Sequence, residues 1–168
     1  MKKIFFWAPY NSNIGTIKSV VNSIKSIKKY SKGKFKPILI DATNEWKNFY
    51  DTHEVIFLRK NKFDFRKFYN NGYLWSRFFY LNIFFSCIIK LHKILKNEKP
   101  DFFIAHLVTS LPLLLFFLFN YRTKLILRIS GEPKLNFVRK FFWRLISKRI
   151  YAVTCPSSKT KSILNNIF

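Results

Sequence analysis

Acidic residues are scarce in this chain. Four Asp and four Glu stand against 31 Lys and Arg in 168 residues, for a net charge of +23. The eight acids are scattered, and none form a helical i, i+3 or i, i+4 pair in a loop-facing position, which argues against a self-contained carboxylate-dependent hydrolase. Glycine is just as sparse, with four in all. G-x-G-x-x-G and G-x-x-x-x-G-K-[ST] are both absent, which argues against a dinucleotide-binding oxidoreductase and a P-loop kinase. The two cysteines, Cys87 and Cys155, lie in apolar surroundings without C-x-x-C spacing and read as buried free thiols of a reducing cytosol. No His/Cys/carboxylate cluster is present, so neither a metal nor another cofactor is expected. Only five apolar residues, Ile4 to Ala8, follow the basic N-terminus, too few for a signal-peptide core.

What the chain does have is Lys, Asn, Ile and Phe, 77 of its 168 residues. All four have A/T-rich codons, so a low-GC genome accounts for much of the charge. The remaining field attracts phosphates, anionic lipid or nucleic acid. Short apolar runs alternate with helical patterns. Ile17, Val20, Val21, Ile24 and Ile27 recur at helical spacing, and Gly33 is the expected stop. A second helix is expected from Arg77 to Lys96, with Leu81, Phe84, Ile88, Leu91 and Leu95 on its inner stripe. Residues 60–76 are basic and aromatic, with a turn at Asn71-Gly72.

Eighteen residues between Asp101 and Asn120 carry no formal charge. They read as a buried strand, a loop and a helix rather than a membrane span, because Thr109, Ser110 and Pro112 break the run in its middle. The predicted strands are Ile4–Ala8, Ile38–Ile40, Val55–Leu58, Phe102–Leu107, Leu125–Ile129 and Ala152–Thr154. Their alternation with helices predicts a single α/β domain over residues 1–168, with a doubly wound, mainly parallel, Rossmann-like sheet.

In such a sheet, ligands meet the loops at the carboxyl ends of the strands. Four loops qualify. The first holds Asn13, Gly15 and Thr16, where a helix start can present backbone N–H groups to a phosphate. The second holds His106, Thr109 and Ser110; His106 there is a donor to a sugar hydroxyl or phosphate oxygen, or a structural residue of the sheet edge. The third holds Arg128, Ser130, Gly131 and Glu132. Gly131 permits a sharp bend, and Glu132 is a base, a hydroxyl acceptor or an acid at a helix N-terminus. The fourth is a helix start capped from Pro156, Ser157 and Ser158. His53 and His92 read as structural or solvated.

The segments KPDFFIAHLVTSLPLLL and KLILRISGEPKLNFVRKFFWRLISKRIYAVTCPS resemble the N-terminal half of GT-B glycosyltransferases of the family-4 type. The opening FFWAPYNSNIGTIKSVVNSI is similar to their first β-loop-α unit, with Gly15 in the glycine loop. Ser130 stands where a histidine is frequent in that family, and the Glu-x7-Glu motif is not found here. The resemblance implies a Rossmann-like acceptor-binding domain, the C-terminal nucleotide-sugar-binding domain being absent from this chain. It implies retaining transfer from a nucleotide-sugar to a cell-envelope saccharide or lipid-linked acceptor, with this chain alone inactive. Asn13, Gly15, Thr16, His106, Thr109, Arg128, Ser130, Gly131 and Glu132 are the expected substrate-binding residues, and no catalytic residue is assigned.

Lys140, Trp143, Arg144 and Lys148 are expected to contact an anionic membrane surface, since Lys and Arg interleaved with Trp and Phe make an interfacial helix. A cytoplasmic protein, peripheral on the inner face of the cell membrane, follows. The alternatives are a non-catalytic, membrane-docked acceptor-binding subunit of a split glycosyltransferase, or a basic nucleic-acid-binding module. The latter lacks a recognisable module signature, and no nucleic-acid partner is expected.

Overall fold

The computed structural model describes residues 1–10, 15–49, 51–59, 73–133 and 136–168. In chain order the elements are β1 (Lys2–Trp7), α1 (Gly15–Tyr30), β2 (Phe35–Asp41), β3 (Val55–Phe57), α2 (Tyr73–Glu98) and β4 (Phe102–Ala105). Then come α3 (Ser110–Leu118), β5 (Lys124–Arg128), α4 (Phe137–Ile146), β6 (Ile150–Thr154) and α5 (Ser158–Asn165). The six strands form one sheet in the order β3-β2-β1-β4-β5-β6, and every pairing is parallel. All six expected strands are present in an α/β Rossmann-like fold. The expected turn at Asn71-Gly72 lies outside the described residues.

A parallel sheet covered on both faces needs strands that are apolar on both sides. Ile4, Phe5, Phe6 and Trp7 are accordingly all buried. Alternation decides which layer each one meets. Ile4 and Phe6, with Leu39, pack against Ile17, Val20, Val21 and Ile24 of α1. Phe5 and Trp7, with Ile38, Ile40, Phe103, Leu125 and Leu127, pack against α2, α3, α4 and α5. Pro37 sits inside β2 without breaking a ladder. Leu39 donates its N–H toward Glu54 beside β3, so Pro37 faces the same way, but β3 pairs only with Leu39–Asp41.

The helix ends follow local chemistry. α1 stops at Tyr30, and the chain turns through Lys32 and Gly33, both with positive φ, as Gly33 predicted. The uncharged stretch is β4, a loop and α3. Pro112 is the third residue of α3, where its missing N–H has no intrahelical partner to lose. Thr109 occupies the N-cap position but makes no side-chain cap bond, unlike Asn136 on α4 and Ser157 on α5.

α2 corrects one expectation. Its buried row is Phe79, Ile83, Cys87, Leu91 and Leu95, whereas Leu81 is exposed and Phe84 and Ile88 are half-buried. The inner stripe is therefore rotated from the expected one. This helix is apolar nearly all round, so hydrophobic spacing alone does not choose its inward face.

Candidate functional site

After β1 the chain turns to one face of the sheet, and after β4 to the other, although the two strands are neighbours. The carboxyl ends of β1 and β4 thus mark the topological switch point, where a crevice opens. Two cavities lie there. The smaller, about 470 Å³, is lined by Gly15, Thr16, Ser19, Arg128, Ser130 and Cys155 among others. The larger, about 1170 Å³, takes His106, Thr109, Ser110, Ser130, Gly131 and Glu132 from the loops after β4 and β5. Arg77 and Tyr80 of α2, and Arg139, Phe142 and Trp143 of α4, complete its wall. Ile129 and Ser130 line both cavities.

The structure thus brings together the expected residues of the second and third loops. Those of the first meet them through Ser130, whose Oγ accepts a hydrogen bond from Thr16 Oγ1 at 3.4 Å. Asn13 lies outside the described residues. Arg128 extends from the end of β5 to α1 and donates to Ser19 Oγ at 2.6 Å and Ser23 Oγ at 3.0 Å. Sequence reasoning did not select these serines, but their i, i+4 spacing among apolar residues was the available sign. Two of the guanidinium's nitrogens are spent on the scaffold, which fixes its plane at the wall of the smaller cavity.

His106 is the least ordinary group in the site. It is 96% buried, being 4% exposed, and neither ring nitrogen has a hydrogen-bond partner. Burial, with the Arg128 charge adding to it, pushes its pKa down to about 3. The imidazole is therefore neutral at physiological pH, with one N–H donor and one lone-pair acceptor. Its backbone N–H extends the ladder to Trp7 O at 2.9 Å, which holds the residue at the strand end.

Two residues further on, Val108 has φ of 47°. A β-branched residue in the left-handed region is strained by its Cβ. The indole N–H of Trp7 donates to the Val108 carbonyl at 3.2 Å and holds it there. Val108→Gly is expected to raise stability by about 1 kcal/mol. Thermal unfolding should show a rise of about 2–4 °C; an unchanged or lower transition would mean that the backbone relaxes without cost.

Other expectations are corrected. Gly131 is not left-handed, and a Cβ placed there or on Gly15 meets nothing within 4 Å. The bend at Gly131 does not require glycine, and both positions leave open space toward the cavities. Glu132 lies four residues before the α4 N-cap, so it is not an acid of that helix's first turn. It pairs instead with Lys159 on α5 at 2.9 Å, in an exposed ion pair. Cys87 is buried, but Cys155 is only half-buried at the smaller cavity.

Trp143 does not belong to a membrane-contact row. It is 5% exposed and stacks on Phe168 at 5.6 Å between ring centroids. The chain's last residues fold back onto α4 and cover it. Arg144 remains exposed and donates to the Asn166 carbonyl at 3.3 Å, while Lys148 falls in a short 3-10 turn, Ser147–Arg149.

No family model matches the sequence, and no curated protein matches it. Among solved structures, the spinosyn rhamnosyltransferase SpnG complexed with thymidine diphosphate aligns with 89% of this chain, at a TM-score of 0.50 and 8% identity. What the two share is the fold. The alignment takes in 38% of the SpnG chain, so this chain corresponds to well under half of that protein.

One pair of acids at i, i+4 spacing meets outside any helix. Asp41, at the end of β2, and Glu45, four residues on, are both buried and hydrogen-bonded to each other. Asp41 accepts from the N–H groups of Asn44 and Trp46, and Glu45 from those of Ala42 and Thr43 and from the Thr43 hydroxyl. Burial, then the charge of Asp41, holds the Glu45 pKa well above its ordinary value. The Tyr10 hydroxyl donates to the Glu45 carbonyl, tying this knot to the segment that leaves β1.

Proposed function

We propose that this domain is the acceptor-binding side of a glycosyltransferase that moves a sugar from a nucleotide-sugar to a saccharide or lipid-linked saccharide. The carrying observation is His106: buried, neutral and without a partner at the wall of a cavity large enough for a sugar ring. A neutral imidazole offers one donor and one acceptor, which matches a hydroxyl group better than a phosphate. Leaving both nitrogens empty is costly for a protein unless a ligand fills them.

The reading extends to mechanism. In the transfer, the acceptor oxygen forms a bond to the anomeric carbon as the bond to the departing phosphate oxygen breaks. The hydroxyl proton passes to that phosphate. Among the described residues the cavity wall offers no strong base, since burial pushes the His106 pKa down to about 3 and Glu132 is held by Lys159. Retention, in which the leaving group takes the proton, fits that wall better than inversion by an enzyme base. His106, Thr109 and Ser130 would position the hydroxyl, and Arg128 would stabilise negative charge developing beside Gly15. The nucleotide would be held across the cleft by a second lobe, in the same chain or in a partner.

Titration of this chain followed by NMR is the test. Oligosaccharides should bind weakly, with dissociation constants of about 1 mM, and shift the resonances of His106 and Ser130. Nucleotide-sugars should show no tight binding. Sub-micromolar nucleotide-sugar binding, with no saccharide response at His106, would overturn the assignment of sides.

A further inference from the structure

The layer of helices α2, α3 and α4 turns an apolar surface outward. On α2, Leu81, Phe85 and Ile89 fall on one outward stripe with Phe78, and Phe85 and Ile89 are 71% and 66% exposed. On α4, Phe137, Phe141 and Leu145 recur at i, i+4 and i+8, and Phe137 and Phe141 are 84% and 61% exposed. Scattered exposed hydrophobics need no explanation, but two apolar stripes on one layer do. The N-terminal parts of these same helices, through Arg77, Tyr80, Arg139 and Phe142, also wall the larger cavity. The stripes therefore flank its mouth.

Charge decides what covers this surface. Asp41 and Glu45 are buried, and Glu54, Glu98 and Glu132 are each paired with a lysine. Few acids are left to offset the 31 bases, so the exterior is close to single-signed. Two copies meeting through it would repel, whereas an anionic surface would attract. Along α2 the apolar stripe gives way, toward the C-terminal end, to exposed Lys90, Lys93 and Lys96. Apolar side chains followed by long cationic ones suit a bilayer boundary, where the stems lie along the apolar region and the ammonium groups reach headgroup phosphates.

From length and composition alone, α2 could cross a membrane. Its opposite row, from Phe79 to Leu95, belongs to the core packed on the sheet, so in this fold α2 lies along the domain. We infer that the outer faces of α2 and α4 form a docking face for anionic bilayers, which presents the mouth of the larger cavity to the membrane. The inference rests on the acceptor-side reading for the meaning of that mouth, but the surface itself is tested separately.

Vesicle cosedimentation provides the test. Wild-type chain should pellet with vesicles of equimolar phosphatidylcholine and phosphatidylglycerol, but not with phosphatidylcholine alone, and release as salt rises. Leu81→Ser, Phe85→Ser and Ile89→Ser combined should weaken pelleting more than about tenfold while leaving the circular dichroism unchanged. Lys90→Glu, Lys93→Glu and Lys96→Glu combined should do the same by charge alone. Equal pelleting of wild type and both variants overturns the proposal. So does a wild-type dimer, seen by sedimentation velocity, that the serine variant dissolves without any vesicle binding. Saccharide titration of the serine variant in the absence of vesicles should be normal; loss of binding there in wild type as well would count against the acceptor-side reading and not against the surface.

Discussion

Replacing Glu45 with Ala should lower the melting temperature of this domain by about 10 °C. The substitution removes the acceptor for two buried N–H groups, those of Ala42 and Thr43, and leaves Asp41 without its carboxyl partner. Each orphaned group costs about 1–3 kcal/mol, so a total near 3 kcal/mol or more is expected. Glu45→Gln should be milder, since its amide can still donate to Asp41, and it also isolates the proton. The Glu45 pKa is raised above its ordinary 4.5, so the folded chain keeps a proton that the unfolded chain loses. Stability from this group is full below about pH 4.5 and declines as pH rises toward the folded pKa, by about 1.4 kcal/mol per pH unit. Thermal melts of wild type and Glu45→Gln between pH 5 and 8 should therefore converge as pH rises. Parallel curves would mean that Glu45 is ionised in the folded state.

His106→Leu should separate stability from binding. Removing an unpartnered buried imidazole should raise the melting temperature by about 2–4 °C at neutral pH, while saccharide binding drops more than about tenfold. The sign with pH is opposite to that of Glu45. His106 has its pKa lowered from 6.5 to about 3, so its stability is full above pH 6.5 and is lost as pH falls toward 3. The advantage of the leucine variant over wild type should thus widen in acid. Mere loss of packing would destabilise the variant at every pH. A variant that binds saccharide as wild type does would remove His106 from the site.

The six strands were legible because a strand buried on both faces is a short uninterrupted apolar run bounded by turn residues, as in Ile4 to Trp7. The loops after β1, β4 and β5 followed from topology, which is how Gly15, His106 and Ser130 were selected. α2 was legible as a helix but not in its facing, because Leu81 and Phe79 are equally apolar and only tertiary packing distinguishes them. Trp143 failed for a related reason: spacing placed it beside basic residues, while the cover over it comes from Phe168, far along the chain. The Asp41–Glu45 pair depends on Asn44 adopting φ of 63°, which folds a four-residue separation back on itself. Asn is one of the few residues that does this at low cost, so Asp-x-x-Asn-Glu was a weak but physical sign.

The central position of β1 governs the order in which the chain can assemble. Its partner on one side is β2, reached after about thirty residues, but on the other it is β4, where Ile4 pairs with Phe102. Closing so wide a loop is entropically slow, and parallel sheets of this kind fold late relative to local helices. On the ribosome, β1, α1 and β2 can form a nascent unit early. One edge of β1 then stays unpaired until β4 has emerged. Until α2 and the later helices have packed onto the sheet, Phe5 and Trp7 lack their covering layer, and the nascent chain is most exposed to aggregation and to capture by chaperones.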